Sequence, residues 1–401
     1  MNQSPDARRD VVVTHALRTP IGKYLGSLAD WTAGEMGAHV VRELIARSGV
    51  DGARIGEVVF GCGRQAGSGT NVARQVGMKA GLPETVPAFT VNMACGSGLK
   101  SIAIVADAIR NGDYDVAVAG GSESMSGLPY FLPRMRRGYR LGHAKVVDAM
   151  YHDGFQCPIS DMLMGETAEK LAREMDITRD EQDRFALESQ NKAVAAQDAG
   201  RFDDEIVPVT IRTRKGETVL SVDEHVRRGT KIESLGKLPP VFDRENGTVS
   251  AGNASGITDG AAGLLLMARE TADELGLQPL AVLGAHSQAG VDPTIMGIGP
   301  VPAVRALHEK NGLALGDYDL IELNEAFAAQ VLACHRELEL PMDRLNVNGG
   351  AIALGHPIGA TGARIAVTLL HEMNKRGSEH GLATLCISGG QGFASAFHRP
   401  S

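Results

Sequence analysis

Four residues have the types and settings that covalent chemistry requires, and each has an ordinary structural alternative. Cys95, in "VNMACGSGLKS", stands between an apolar run and a glycine-rich loop that opens into an amphipathic segment. A thiol reacts as its thiolate, and a helix N-terminus favours that form, but a free cysteine is also among the most buried residue types. Nucleophile and buried filler both stay open on local sequence. His356, in "GHPIGATGAR", sits on a second glycine-rich loop and could serve as a base, or as a satisfied core or surface histidine. Cys386, in "CISGGQG", ends an apolar strand and could move a proton or simply pack. Asn324, in "ELNEAFAAQ", lies where a strand gives way to a helix and could be an N-cap, or could orient a water or donate to an oxyanion. Cys62, Cys157 and Cys334 read as structural.

Placing these residues requires strands and helices in alternation. An apolar strand at Val11–Val13 precedes a helix whose start is marked by Thr32 and Glu35 at capping-box spacing. A strand begins near Ile55, Cys95 leads into a helix with Leu99, Ile102, Ala106 and Ile109 on one face, and "YDVAVAGG" is the next strand. Such alternation implies an α/β fold with largely parallel sheets. A second capping box, Thr178 and Glu181, opens a long helix in the middle of the chain.

The pattern recurs. "VVRELIARSGVDGARIGEVVFG" from Val40 aligns without a gap on "AVRALHEKNGLALGDYDLIELN" from Ala303, matching Arg42 with Arg305, Leu44 with Leu307 and Gly49 with Gly312. Two copies of one α/β unit would bring equivalent loops, those of Cys95 and His356, to a shared face. Between them the texture turns charged and loop-rich, with arginines at 134, 136, 137 and 140 and further cations at Lys145, Arg227, Arg228 and Lys231. These read as solvated faces that could also attract the phosphates of an anionic ligand.

Composition narrows the class. A chain of 401 residues with net charge −8 and 43% hydrophobic content is a globular protein without the net basic face of a nucleic-acid binder. Five cysteines lack the spacing of a zinc site or a disulfide framework, which points to a reducing cytoplasm. The first ten residues are not a secretory signal, and no apolar run reaches membrane-spanning length. No P-loop or dinucleotide fingerprint accompanies the glycine loops.

Taken in order, "VNMACGSGLKS", "NEAFAAQ", "NVNGGAIALGHPIGATGAR" and "CISGGQG" resemble the thiolase family, and within it the acetyl-CoA acetyltransferases, along essentially the whole chain. The resemblance implies a five-layered α-β-α-β-α fold of two repeated halves. The N-terminal half would span 1–122, completed by 251–275, and the C-terminal half 276–401. An inserted loop domain at 123–250 would serve substrate and coenzyme A binding and assembly as a homodimer or homotetramer. In this reading Cys95 is acylated, His356 activates it, Cys386 handles the α-proton and Asn324 holds a water. That water and the imidazole form one oxyanion site, and the backbone amides of Cys95 and Ser388 form the other. Ser255, Met164, Met296, Ala326 and Phe327 would line the pantetheine tunnel, with Arg227 at the nucleotide end.

The implied activity is a ping-pong acyl transfer, either condensation of two acetyl-CoA or thiolysis of a 3-ketoacyl-CoA, in fatty acid metabolism. Coenzyme A is then substrate and product, with no permanently bound cofactor or metal, and acyl-CoA thioesters are the partners. The alternatives are a 3-ketoacyl-CoA thiolase of broader chain length, a ketoacyl synthase, or a catalytically silent acyl-CoA-binding relative. Three departures bear on this reading. Ser388 stands where many members have glycine, Leu163 where short-chain members often show histidine, and "LPYFLPRMRRGYRLG" is richer in arginine than the family's tetramerisation loop.

Overall fold

The structure is a computed structural model, and it describes residues 9–214 and 216–400. The first half runs β1 (Val11–Arg18), α1 (Ala33–Ser48), β2 (Glu57–Gly61), α2 (Val72–Ala80), β3 (Ala88–Val91), α3 (Ser97–Asn111) and β4 (Val116–Glu123). A long excursion carrying α4 (Met164–Glu174) and α5 (Arg179–Asp198) returns to the sheet at β5 (Thr258–Ala268). The second half follows as β6 (Ala281–Gly290), α6 (Pro300–Asn311), β7 (Leu320–Leu323), α7 (Ala328–Leu338), α8 (Ile358–Arg376), β8 (His380–Ile387) and β9 (Gln391–His398).

These strands form one continuous sheet in the order β7-β8-β9-β6-β1-β5-β4-β2-β3. Its centre is the antiparallel β1/β6 pair, Val12 opposite Val282 and Val13 opposite Ala281, and each half unrolls outward from that seam in the same order. The expected parallel sheet is therefore corrected. Only β2/β3, β2/β4 and β7/β8 are parallel, while the pairs nearer the seam are antiparallel. Parallel pairing needs a crossover, and helices supply one only within α1 to β4 and α6 to β8. Between β8 and β9 the chain turns straight back, forming a hairpin at 388–390.

The repeat is visible in the backbone. Helix α1 ends on Gly49 in the left-handed region and passes through a turn at Gly52–Arg54 into β2; helix α6 ends on left-handed Gly312 and passes through Leu315–Asp317 into β7. Arg42 donates to the Lys79 carbonyl at the end of α2, and its counterpart Arg305 donates to the Glu337 carbonyl at the end of α7.

Helices α3 and α8 form the layer between the two half-sheets, packing Leu99, Ile102 and Ala106 with Ile365, Ala366 and Leu369. Helices α1 and α2 cover one outer face and α6 and α7 the other, giving five layers. The α3/α8 crossing is close because it uses glycine: a Cβ on Gly98 would lie 2.6 Å from the Ala363 amide nitrogen. Both predicted capping boxes, Thr32 with Glu35 and Thr178 with Glu181, are formed. The excursion is fastened to β1 by fully buried Arg18, whose guanidinium meets Glu205 at 2.6 Å and Asp223 at 2.7 Å.

Candidate active site

Cys95 lies one residue before the N-cap of α3, which is Gly96. Its loop is held by Ser97, whose hydroxyl accepts from the Met93 amide at 2.8 Å and donates to the Ala94 carbonyl at 2.6 Å. Ala94 itself has φ +43°, a strained conformation for a residue with a side chain, so the loop geometry is imposed by its contacts. Burial pushes the Cys95 thiol up from its ordinary value. The Arg64 guanidinium and the backbone amides of Ser388 and Cys95 pull the other way, without prevailing. The helix N-terminus therefore does not by itself yield a resting thiolate. The first glycine after Cys95 serves close packing. A Cβ on Gly96 would lie 2.6 Å from Ile387, so Gly96 admits the end of β8 rather than a substrate.

His356 precedes α8 and is 7% exposed. Its Nδ1 lies 2.6 Å from Thr361 Oγ1, and that hydroxyl donates its single proton to the Pro357 carbonyl at 3.1 Å. With the hydroxyl proton assigned to that carbonyl, Nδ1 carries the ring proton and Nε2 is left as a free acceptor. Burial, with the nearby Arg64 and Arg364 cations, pushes the imidazole down to about 3, so it rests neutral.

Cys386 is fully buried near the end of β8, packed with Met164, Met296, Ala326 and Cys157. Burial and the neighbouring thiols of Cys95 and Cys334 drive its thiol well above the ordinary range. Asn324 follows β7, but it is not a helix cap: α7 starts four residues later, with Phe327 in the N-cap position. Its side chain is fully buried, and neither Oδ1 nor Nδ2 has a partner. An unpaired buried amide is costly, so these two atoms are left with unused hydrogen-bonding capacity.

One cavity of about 670 Å³ gathers Cys95, His356, Cys386, Ser388, Met164, Met296, Ala326, Phe327, Ser255 and Arg227. Asn324 is not part of its lining and stands behind Ala326 in the chain. The loop carrying Ser255 is laid against 326–328 by main-chain bonds, Ser255 N to Ala326 O at 3.0 Å and Ala328 N to Asn253 O at 2.9 Å. Phe327 meets Phe242 edge to face at 6.4 Å, making an aromatic wall, and a Cβ on Gly165 would run into Phe242. Leu163, the N-cap of α4, also faces the cavity. Exposed Lys23 and Arg227 bring positive charge to its lining.

Sequence reasoning missed Arg64 and Phe242. The signal for Arg64 was present, since a cation three residues beyond a buried strand and inside "GCGRQ" stays close to the strand's end. Phe242 lies in the loop-rich excursion and carries no local pattern. Cys62, Cys157 and Cys334 are buried outside the cavity lining. Among the described residues, no group of three or more His, Cys, Asp or Glu is placed to hold a metal ion.

The thiolase N-terminal domain model matches residues 11–270 and the thiolase C-terminal domain model residues 277–399. An acetyl-CoA acetyltransferase of Pseudomonas aeruginosa is 54% identical over 392 residues, covering 98% of this chain and all of the relative. The crystal structure of the Bacillus anthracis acetyl-CoA acetyltransferase superposes with a TM-score of 0.96 at 46% identity, over 98% of this chain and 100% of that one. Human mitochondrial 3-ketoacyl-CoA thiolase in complex with CoA superposes with a TM-score of 0.94 at 40% identity, over 98% of both chains.

Proposed function

The chain belongs to the thiolase family and is an acyltransferase, and from that premise we propose that it interconverts two acetyl-CoA with acetoacetyl-CoA and coenzyme A through an acyl group on Cys95. The observation that carries this reading is the convergence of Cys95, neutral His356 and Cys386 on one cavity, with the Ser388 amide acting on the Cys95 sulfur.

Each side chain then has a task that its surroundings support. The free Nε2 of His356 takes the Cys95 proton as the sulfur attacks the acetyl-CoA carbonyl. The oxyanion forms against the amides of Cys95 and Ser388, and the carbon–sulfur bond to coenzyme A breaks. The departing thiolate takes the proton back from His356, so a thioester replaces a thioester.

In the second stage Cys386 passes its proton to Nε2 of His356, and its thiolate removes a proton from the methyl group of a second acetyl-CoA. The resulting carbanion attacks the acyl-cysteine, the bond to the Cys95 sulfur breaks, and that sulfur takes the proton from His356. Burial that raises the Cys386 thiol also makes its thiolate a strong base. The resting, protonated Cys386 suits entry from the cleavage side, where the departing acetyl-CoA carbanion needs a proton. Asn324, buried and unpaired, would hold the water that joins the imidazole in the second oxyanion site.

The pantetheine arm would run past Ser255, Met296, Met164 and the Phe242–Phe327 wall, with Arg227 and Lys23 available to the anionic nucleotide end. Exposed Tyr130, Met135, Leu141 and Val146 around the Tyr130–Phe131 and Val147–Asp148 hairpin suit burial against further copies in a homotetramer. Five free cysteines suit the cytoplasm, and among the described residues no helix is long and apolar enough to cross a membrane. Thiolysis of a panel of 3-ketoacyl-CoA substrates from acetoacetyl-CoA upward tests the reading. Fastest cleavage of acetoacetyl-CoA supports it, a flat or rising profile favours the broader 3-ketoacyl-CoA thiolase, and no cleavage of any member rejects both.

A further inference from the structure

The cavity lining contains one cation that the mechanism above leaves unused. Arg64 follows β2, is 5% exposed and faces the same space as Cys95 and His356. Its backbone is clamped to both catalytic loops. Buried Glu123 accepts from the amides of Arg64 at 3.0 Å, Gly63 at 2.9 Å and Gly359 at 2.7 Å, the last in the first turn of α8 behind His356. Asn92 donates to the Gly63 carbonyl at 3.2 Å and accepts from the Ala94 amide at 3.0 Å, which ties in the Cys95 loop.

The guanidinium has little to satisfy it. Its Nη1 reaches the Gly63 carbonyl at 3.5 Å, its Nε has no partner, and a Cβ on Gly154 would lie 2.7 Å from that Nε. Among the described residues no carboxylate lies within ion-pairing distance of it. Buried Glu123 feels the charge of Arg64 but is held by three backbone amides and makes no direct ion pair with the guanidinium, and the anion that the chemistry creates in the same cavity is the one on Cys95.

Resting on the assignment of Cys95 as nucleophile, we propose that Arg64 is a positioning cation that eases ionisation of Cys95 as it attacks and disfavours a charged His356, so that the proton the imidazole takes is readily passed on. One positive charge acts with opposite sense on the two groups: it attracts the sulfur anion and repels the protonated ring. The electrostatics agree in direction, since Arg64 pulls down both the thiol and the imidazole; Glu123 acts on the thiol in the opposite sense, and Arg364 adds to the pull on the imidazole. An imidazole kept neutral is free to accept a proton at the moment of attack and to return it to the leaving thiolate.

The test is the pH dependence of Cys95 alkylation by iodoacetamide, followed by peptide mass spectrometry, in the wild type, Arg64→Lys and Arg64→Gln. The alkylation profile of R64Q is expected to move up by about one pH unit, with R64K staying near the wild type. Thiolysis of acetoacetyl-CoA by R64Q should fall about tenfold at neutral pH and recover as the pH is raised. Superimposable alkylation profiles, or an R64Q defect of the same size at every pH, would overturn the proposal. Cys95→Ser separates this from the reading beneath it: thiolysis at the wild-type rate in C95S removes the nucleophile assignment itself, whatever R64Q does.

Discussion

The proton inventory of three side chains decides what the site can do at rest. Cys95 and Cys386 are both held as thiols by burial, and His356 is held neutral, so the resting site contains a base with one open nitrogen and two acids. The open nitrogen depends on Thr361, because only its hydroxyl fixes the ring proton on Nδ1. Thr361→Val removes that acceptor. We expect kcat/KM for thiolysis to fall about tenfold and Thr361→Ser to recover it, as other outer partners of functional histidines do. The wild-type ring should show the neutral Nδ1–H tautomer by nitrogen NMR from about pH 5 to 8. Titration of His356 in that range, or an unimpaired T361V, contradicts the assignment.

At the scale of elements, the spacing between the two catalytic loops is set by a helix crossing. Gly98 on α3 and Gly362 on α8 each face the partner backbone, so the crossing closes only without a Cβ there. Gly98→Ala should cost roughly 1–3 kcal/mol in a urea titration and reduce kcat more than KM, because Cys95 and His356 move apart with their helices. A variant with wild-type stability and rate would show that the crossing does not set the spacing.

This crossing also marks what was legible in the sequence. The helices, their caps and the repeat follow from periodicity and from Thr32, Thr178 and the Gly49–Gly312 match. The packing role of the glycines was hidden, since sequence shows that a Cβ is absent but not which neighbour occupies the space. The N-cap reading of Asn324 failed for a similar reason: the four residues of "NEAF" separate β7 from α7 and leave the cap to Phe327, which propensity alone does not reveal.

For the molecule as a whole, the sheet seam at β1/β6 brings the two repeated loops to one face, so a site is assembled from halves that are distant in sequence. The repeat made that convergence legible. The antiparallel centre of the sheet was hidden, because it depends on which strands meet after the long excursion rather than on any local pattern. The excursion supplies much of the cavity wall and the exposed hairpin. If the hairpin joins copies of the chain, Leu141→Glu, on a residue 99% exposed, should shift the mass in sedimentation velocity from tetramer toward dimer. An unchanged mass would remove the hairpin from the assembly.

The central claim is a covalent acyl group on Cys95. Protein incubated with acetyl-CoA, quenched in acid and measured intact should gain one acetyl group, mapped to Cys95 and discharged by added coenzyme A. Cys95→Ser should gain none there and lose thiolysis of acetoacetyl-CoA. An acetyl group mapped to Cys386 or elsewhere, or full thiolysis without acylation of Cys95, would contradict it.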